Sequence, residues 1–596
     1  MNKEILIVII VTLPLAAAVP VGAAKILNNL VSELRDVSLQ GVHEADEEFE
    51  NPRAGWVFLR AQRGGDDHGV LQLSVDVAPE DGADVVDRSD GRVVEGMRYL
   101  PAGKHTAHVR CTAPGGIERL VVRTMPEILY ANFPMHSPIA AYPRYDWQFL
   151  ERCGLLDNLN TIIGARHGSS AARVKVEQEY EPHLGEWKAR GRRWIVESPV
   201  PGLRDGIRVT ADEAYAKWAG WKGITHPKLD GLIADEFYPR RRENYGAWVE
   251  AIRRLEKDHA PKTFYPYVAG APDGLKDFLA PLVASGTRFA YERYLHERRT
   301  EQEARSFIRE QLVERMAALN RAVPGAAGHA IVVLGMLSAP PESLNKNPAA
   351  DFKVYLDMQF HALANDTAFA GLYGVMTYLS HYADEEYLRW AARLYRHYCV
   401  EGRTGMLSTD PYMLSHIRNP DFEHGTDGWD VSAAQDGSVD TGSLKDYGFL
   451  VMRYPRDGQG DTFLLMRRRR EKPNRVSQQI RNLQPGRTYS AKLFTADRQR
   501  LGTRMKHAVS IDIDGVEMIE RQCFQEVFHN DWSHHAYGFD GTAHKAWFNY
   551  HRKVFRATGA TARLTISDWA GPDEPGGPIG QELMLNFVEV EPYLVD

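Results

Sequence analysis

The sequence predicts a multidomain protein that combines an α/β region with all-β regions. Between about residues 128 and 402, eight short apolar runs alternate strictly with eight amphipathic stretches of helical spacing. Residues 46–127 and 419–596 instead contain short runs with apolar residues at every second position, separated by Gly, Pro, Asn and Asp. Because the first pattern is typical of βα units and the second of antiparallel sheets, we expect a central α/β domain with an all-β domain on each side.

Composition limits the classes of partner. The chain has 596 residues, 43% hydrophobic and 25% charged, which is typical of folded globular proteins. Its net charge of −7 provides no basic field for nucleic acid, so we expect no nucleic-acid partner. A neutral partner such as a carbohydrate is compatible with this balance.

The N-terminal stretch 1–24 has the pattern of an export signal. A short polar start precedes an apolar run over 5–19, and small residues follow up to Ala24. Pro14 interrupts the run, which is short for a membrane span. We expect cleavage, no stable membrane insertion afterwards, and a secreted, periplasmic or cell-surface protein; a retained anchor is the alternative.

Residues 25–45 are predicted to be a linker or a short helix, and 25–39 has the pattern of a short amphipathic helix or a linker. Strand patterns then occur at 55–59, 70–75, 97–100, 105–109 and 120–123, with turn residues between them. This spacing predicts an N-terminal β-sandwich over 46–127.

The central region, 128–402, is predicted to form a (β/α)8 barrel. The expected strands are 128–133, 161–165, 194–197, 232–236, 263–268, 288–292, 329–337 and 371–379. The expected helices are 146–155, 179–189, 211–222, 245–259, 274–285, 301–321, 351–364 and 384–398. An open doubly wound sheet is the alternative, but the loop after the first strand, 131–136, lacks its glycine-rich phosphate motif.

After a linker at 403–418, the all-β region 419–596 carries the motifs NPDFEHGTDGW, VSQQIRNLQPGRTYSAKLF and LNFVEVEP. These resemble the jelly-roll carbohydrate-binding modules appended to many secreted glycosidases. The resemblance implies a β jelly roll that binds β-glucans or xylans or only packs on a catalytic domain. It also implies a structural Ca²⁺ near Glu423 and the Asn586/Glu589 region.

The four cysteines are widely spaced, without a CxxC or a Cys/His metal pattern. We expect four separate buried thiols. If any pair forms a disulfide, Cys153 and Cys399 are favoured, since their helices are the first and last of a closed barrel.

Polar and aromatic residues follow the expected barrel strands, whose carboxyl ends meet at one mouth. The candidate catalytic residues are Asp235 and Glu236 after strand 4 and Glu292 at the end of strand 6. The candidate substrate-binding residues are Arg166, His167, Glu197, Tyr267, Tyr291, Tyr294, Tyr378 and His381. Each also has a structural interpretation, as an ion pair, a loop contact or a core residue.

This inventory matches the chemistry of glycoside hydrolysis, which uses one carboxyl group as proton donor and a second as nucleophile or base. Glu236 is the first choice for the acid and Glu292 for its partner, with Glu197 as a second candidate partner. Asp235 would orient Glu236 or hold its proton through like-charge repulsion. Aromatic rings would stack on sugar faces, and no catalytic cofactor is expected.

The central region resembles retaining glycosidase barrels in which the acid glutamate follows strand 4. It departs from the commonest such clan because Asp, not Asn, precedes Glu236. Strand 7 also ends without a carboxylate, and the first one after it is Glu342. The adjacent Asp-Glu pair is similar to that of hexosaminidase-type barrels, in which Asp holds the substrate acetamido group.

The leading expectation is therefore an exported glycoside hydrolase acting on a poly- or oligosaccharide. A non-catalytic glycan-binding or surface scaffold protein on a degenerate barrel is the main alternative. A metal-dependent hydrolase using His136, His167, Asp235 and His381 is a weaker one, because no HxH or HExxH spacing occurs.

Overall fold

A computed structural model describes residues 24–65, 68–77, 85–133, 137, 139–164, 170–203, 206–340, 342–378, 382–451, 460–530 and 545–595. Nine strands precede the central region: β1 Lys25–Ile26, β2 Ser32–Val42, β3 Glu44–Asn51, β4 Gly55–Arg63, β5 Leu71–Val75, β6 Val85–Ser89, β7 Val93–Leu100, β8 Gly103–Cys111 and β9 Ile117–Met125. They form a five-stranded sheet, in the order β1-β2-β9-β4-β7, and a four-stranded sheet, in the order β3-β8-β5-β6. Apolar side chains of both sheets share one core.

The helix predicted over 25–39 is wrong, because these residues form β1 and most of β2. Leu34 of β2 is buried in the core between the two sheets. The charged residues Glu33 and Asp36 lie beside Arg123 and Val121 of β9, which is the neighbouring strand. The apolar spacing that suggested an amphipathic helix belongs to a strand covered on one face.

The central region is a closed barrel of eight parallel strands, which confirms the barrel prediction. Its strands are β10 Glu127–Phe133, β11 Thr161–Gly164, β12 Arg193–Ser198, β13 Gly231–Phe237, β14 Thr263–Val268, β15 Phe289–Arg293, β16 Ala330–Gly335 and β19 Gly374–Tyr378. Between β16 and β19, the strands β17 Ser338–Ala339 and β18 Glu342–Ser343 form a separate hairpin. β19 pairs with both β16 and β10 and closes the barrel. Inward-facing side chains such as Leu129, Ile195 and Ile233 fill its interior.

The helices lie between the barrel strands. They are α1 Trp147–Arg152, α2 Ser170–Ala189, α3 Ala211–Ala219, α4 Lys222–Thr225, α5 Tyr245–Asp258, α6 Pro272–Ala284, α7 Glu301–Ile308, α8 Glu314–Ala322, α9 Phe352–Asn365 and α10 Glu385–Leu394. π-helical turns follow α7, at Arg309–Val313, and α10, at Tyr395–Val400. Each of the eight predicted helices corresponds to one of these helices or to a pair of them.

A polar network closes the amino-terminal end of the barrel. The buried carboxylate of Glu127 accepts hydrogen bonds from Thr161 Oγ1 at 2.6 Å, Tyr265 Oη at 2.8 Å and Tyr373 Oη at 2.7 Å. The N-terminal sheets contact this same end, where the guanidinium of Arg193 lies 3.9 Å from the ring centroid of Tyr99. The opposite end, where the strands finish, is therefore the one that carries the candidate site.

The C-terminal region adds α11 Tyr447–Leu450 and eleven strands: β20 Asp430–Ser432, β21 Val439–Ser443, β22 Thr462–Arg467, β23 Arg475–Ile480, β24 Thr488–Asp497, β25 Ser510–Asp514, β26 Val516–Met518, β27 Phe524–Asn530, β28 Ala546–Ala557, β29 Ala562–Ser567 and β30 Glu582–Pro592. All pair antiparallel, in a four-stranded sheet, β20-β23-β29-β25, and a larger sheet built on β21-β22-β30-β24-β28-β26. The two sheets enclose a core that includes Leu493, Phe555 and Leu585.

The outer face of the larger C-terminal sheet packs on the barrel. Phe494, Tyr550 and Phe587 of this face join the apolar cluster of the barrel and its helices. Buried charges accompany them, and we call these side chains the interface ion cluster: Asp384, Glu385 and Glu386 at the start of α10, Lys353 of α9, and Lys492, Arg552, Glu589 and Glu591 of the sheet. The C-terminal sheet is therefore joined to the barrel through its interior rather than through a surface contact.

The structure also bears on two further expectations, which concern the cysteines and the export signal. All four cysteines occur as separate thiols, as expected, and Cys153 is not joined to Cys399. Cys111 and Cys399 are buried as expected, whereas Cys153 and Cys523 are partly exposed. No helix in the described part of the chain has the length and apolar character needed to cross a membrane. The expected export signal lies outside the described residues.

Candidate functional site at the barrel mouth

A β-bulge in β13 directs two adjacent carboxylates toward the barrel mouth. Ala234 lies opposite Pro266, whereas Phe237 lies opposite Val268, so β13 carries one extra residue at this point. Ile233 faces the barrel interior and Phe237 packs outward against Trp248. Strict alternation would turn Glu236 outward, whereas the bulge lets Asp235 and Glu236 both face the mouth.

The bulge places Glu236 in an uncommon backbone conformation. Its φ of +73° lies in the left-handed region, which costs a non-glycine residue on the order of 1 kcal/mol. Backbone strain of this kind clusters at active sites, where the surrounding structure holds it in place. The conformation therefore supports a functional role for Glu236 beyond that of a strand end.

Tyr238 follows the bulge and contacts Glu236 directly. Its phenol O–H donates a hydrogen bond to Glu236 Oε1 at 2.9 Å. Burial, followed by the nearby charges of Glu236 and Glu292, raises the pKa of Tyr238 far above its usual range. Tyr238 therefore stays a neutral donor to Glu236.

Glu292 lies at the end of β15 and faces the same mouth. Burial, then the negative charges of Asp235 and Glu236, raise the pKa of Glu292 to about 8, with Arg293 acting in the opposite direction and Glu342 adding to the rise. At neutral pH the Glu292 carboxyl group is therefore mostly protonated. The site contains one protonated carboxyl group among several ionisable neighbours, which is the condition for acid catalysis.

Three of the predicted tyrosines meet beside these carboxyl groups. Tyr267 Oη and Tyr294 Oη lie 2.6 Å apart. The Tyr294 ring stacks on that of Tyr378, with 5.8 Å between centroids and an angle of 10° between planes. The charge of Glu292 contributes to raising the pKa of both Tyr267 and Tyr294. The three rings therefore form one aromatic wall next to Glu292.

Glu342 is a carboxylate that the strand-end analysis did not include among the site residues. It lies on β18 of the hairpin after β16, is 8% exposed, and its charge acts on Glu292. Gly335 ends β16 at an inward position, where a Cβ would lie 2.4 Å from Leu344 Cδ1 and 3.1 Å from the Tyr294 ring. Gly335 of β16 thus leaves room for the Tyr294 ring, and the hairpin of β17 and β18 supplies the Glu342 carboxylate.

Tyr238 was also missed as a site residue. Its signal in the sequence was its position two residues after Glu236, within reach of the same strand end. Glu342 was noted as the first carboxylate after strand 7 but was not assigned to the site. The hairpin of β17 and β18, in which Ala339 pairs with Glu342, returns it to the mouth.

The placement of Tyr291 in the substrate site is wrong. Its side chain is fully buried among outward-facing residues, and its Oη donates to Gly270 O at 3.4 Å. Side chains along a strand alternate between faces, so the inward positions of Ala290 and Glu292 require Tyr291 to face the helices.

Glu197 ends β12 on the same face as the inward residue Ile195 and is partly exposed. Its side chain therefore faces the mouth beside β13. Arg166, His167, His136 and His381 lie outside the described residues.

The structure places the two expected calcium ligands in different surroundings. Glu589 is buried in the interface ion cluster, where it accepts from Asn345 Nδ2 at 3.1 Å and lies 3.8 Å from Lys492 Nζ. Glu423 is exposed. In the described ranges no group of three or more His, Cys, Asp or Glu side chains is arranged to hold a metal ion. Glu589 is thus part of an interface between the sheet and the barrel.

Comparisons with known proteins yield fold-level likenesses only. No family model and no curated protein matches the chain. Among solved structures, an α-L-arabinofuranosidase from Thermotoga maritima is 9% identical, covers 74% of this chain and 96% of its own, and has a TM-score of 0.31. A group IV chitinase from Ostrinia furnacalis is 12% identical over 47% of this chain and 100% of its own, with a TM-score of 0.34. At such scores neither likeness carries an argument about activity.

A carbohydrate-binding module, TmCBM61, solved with β-1,4-galactotriose, is 13% identical over 30% of this chain and 97% of its own, with a TM-score of 0.17. This TM-score is lower than those of the arabinofuranosidase and the chitinase. The functional conclusion must therefore come from the site itself.

Proposed function

We propose that the protein hydrolyses glycosidic bonds in an oligo- or polysaccharide at the barrel mouth. The observation that carries this proposal is the convergence of Asp235, Glu236, Glu292 and Glu342 on one site, with one carboxyl group held protonated beside the others. Glycoside hydrolysis needs a carboxylic acid to protonate the leaving oxygen and a carboxylate to act at the anomeric carbon.

In this proposal Glu292 is the proton donor and Glu236 is the ionised partner. This reverses the order expected from the sequence, in which Glu236 was the acid. Burial and the neighbouring carboxylates favour the protonated form of Glu292. The hydrogen bond from Tyr238 suits Glu236 as nucleophile or base. Asp235 and Glu342 hold the proton on Glu292 through their charge.

The aromatic wall of Tyr267, Tyr294 and Tyr378 supports a saccharide as substrate. Tyrosine rings offer an apolar face to the C–H groups of a sugar ring and a hydroxyl for hydrogen bonding. The Tyr267 and Tyr294 hydroxyl groups are held together at 2.6 Å, so the wall is fixed before a substrate binds. A preorganised wall lowers the entropy cost of binding.

The C-terminal region is proposed to be a jelly roll that completes the catalytic unit rather than a separate binding module. The support is the burial of its larger sheet against the barrel, where Lys492 and Arg552 are at most 4% exposed. A structural Ca²⁺ near Glu423 and export by cleavage of residues 1–24 remain parts of the proposal that rest on the sequence.

The test uses the full chain on a panel of polysaccharides and aryl glycosides, with variants Glu292→Gln and Glu236→Gln and the exposed-site control Glu250→Gln on α5. We expect Glu292→Gln to lose about 100-fold or more in kcat on natural linkages. It should lose far less on dinitrophenyl glycosides, whose leaving group needs no proton. Glu236→Gln should lose activity on both substrate types.

The pH profile gives a second readout. The wild-type rate on natural linkages should fall as pH rises through about 8, because Glu292 then loses the proton it must donate. Turnover that is unchanged in Glu292→Gln and Glu236→Gln would refute the assignment. Binding of a polysaccharide without any turnover would instead favour the glycan-binding scaffold.

A further inference from the structure

A second cavity, which we call the basic cleft, lies between the five-stranded N-terminal sheet and the chain that follows α10. Its volume is about 550 Å³, within the range of roughly 300–1,000 Å³ found for small-molecule sites. Six cationic side chains line it: Lys25, Arg60, Arg119, Arg123, Arg396 and Arg403. The N-terminal sheets contact the barrel at its amino-terminal end, so the basic cleft lies away from the mouth and its carboxylates.

The cleft follows from the alternation of side chains along β4. Trp56 and Phe58 point toward the barrel and pack in its apolar cluster. The next two residues on the same face, Arg60 and Gln62, line the cleft. The sheet therefore continues past the barrel edge, and its polar end faces the residues after α10 across open space.

Most cations of the basic cleft already have carboxylate partners. Arg119 makes a two-pronged pair with Asp36, at 2.7 and 2.6 Å. Arg123 lies 3.6 Å from Glu33, and Arg403 Nε lies 3.3 Å from Glu401. These pairs show that carboxylates fit this surface, and they consume the three carboxylates that line the cleft.

Arg60 is the exception. Within the described ranges it forms no ion pair and no side-chain hydrogen bond. Glu95, just outside the lining, pairs with Arg396 at 2.7 Å. Glu118, beside Gln62, lies 3.5 Å from Arg92. With Glu95, Glu118 and Arg92 counted, seven cations face five carboxylates, in a protein whose net charge is −7. The cleft therefore keeps a local excess of positive charge, with one guanidinium group available.

We infer that the basic cleft binds a carboxylate-bearing saccharide, such as an oligomer of a uronic acid. A guanidinium fork matches a carboxylate in a two-pronged geometry, which makes Arg60 the anchor for the charged group. The volume exceeds that of a simple anion. The Thr404 hydroxyl and the amide oxygen of Gln62, whose Nε2 donates to Glu118 at 3.0 Å, can hydrogen-bond hydroxyl groups. The inference does not depend on the activity proposed for the mouth.

The experiment is a calorimetric titration of the full chain with trigalacturonic acid at low ionic strength. Galactotriose, which has the same number of sugars and no carboxylates, is the neutral comparison. The variant is Arg60→Gln, and the matched control is Arg253→Gln, an exposed arginine on α5. We expect saturable binding by the wild type and by Arg253→Gln, and about a tenfold weaker Kd for Arg60→Gln.

Arg60→Lys keeps the charge but loses the fork, and it should give an intermediate Kd. Unchanged unfolding midpoints of the variants would show that they fold. If trigalacturonic acid does not bind, or binds Arg60→Gln as tightly as the wild type, the inference is overturned. If inorganic sulfate competes at equal concentration, or galactotriose binds equally well, the assignment to an acidic saccharide is overturned.

Discussion

Replacing Lys492 by methionine tests whether the interface ion cluster stabilises the fold. Lys492 Nζ contacts Glu591 and lies 3.3 Å from Glu386 and 3.5 Å from Asp384. Lys492 is 4% exposed, and these three carboxylates are fully buried. Methionine preserves most of the volume, so the variant removes a charge without opening a large cavity.

The expected loss is about 3–5 kcal/mol in the free energy of unfolding, the range for breaking a buried ion pair by removing one partner. The barrel and its C-terminal sheets share this interface and form a folding unit of roughly 470 residues. At an unfolding entropy of about 2.1 cal/mol/K per residue, each kcal/mol lowers the midpoint of such a unit by about 1 °C, so a decrease of about 3–5 °C is expected. The loss should be smaller at pH 5 than at pH 8, because protonation neutralises carboxylates that have lost their cation.

Scanning calorimetry of the full chain measures the effect, with the exposed Lys506→Met as control. A second variant, Lys492→Met combined with Glu591→Gln, should be less destabilised than the sum of the two single variants, because both remove the same pair. A loss below about 1 kcal/mol for Lys492→Met would refute the reasoning.

Two further predictions concern pH and packing. Burial raises the pKa of Glu386 to about 7, so the contribution of Glu386 to stability falls as pH rises from about 4.5 through 7, and Glu386→Gln should reduce the decrease of the unfolding midpoint over that range. Lys353 and Lys492 lower the pKa of Glu591 to about 2, so the contribution of Glu591 is lost as pH falls below about 4.5, and Glu591→Gln should reduce the decrease of the midpoint in acid. Gly335→Ala should cost about 1–3 kcal/mol and lower kcat by displacing Tyr294, whereas Gly328→Ala, which meets open space, should change neither.

The barrel could be predicted because its signal is repeated. Each βα unit adds an apolar run and an amphipathic helix, so an error at one boundary leaves the count unchanged. Asp235 and Glu236 could be placed at the mouth for the same reason, since a buried parallel strand tolerates carboxylates only at its end. The bulge that turns both inward was not predictable, because it appears only in the pairing of β13 with β14.

The incorrect or missed predictions concern residues whose placement depends on a neighbouring element of the fold. Tyr291 was assigned to the mouth by its position at a strand end, although the alternation fixed by Glu292 turns it outward. Residues 25–39 carry apolar residues three or four positions apart, which suits a helix, whereas pairing with β9 makes the segment a strand. Glu342 reaches the site through the short hairpin of β17 and β18. Glu589 is placed in the interface ion cluster by the docking of a sheet on the barrel, which depends on contacts between residues far apart in the chain.

The interface ion cluster also bears on how such a protein can diverge. Domains that are exchanged between genes by fusion meet through exposed linkers, so either partner can be replaced without the other. Here, a replacement of β24 would remove Lys492 from Glu386 and Asp384 of α10, and a replacement of β30 would remove Glu591 from Lys353 of α9. Substitutions on the two sides are therefore expected to be inherited together, and the barrel and its C-terminal sheets should have a common ancestry as a single heritable unit.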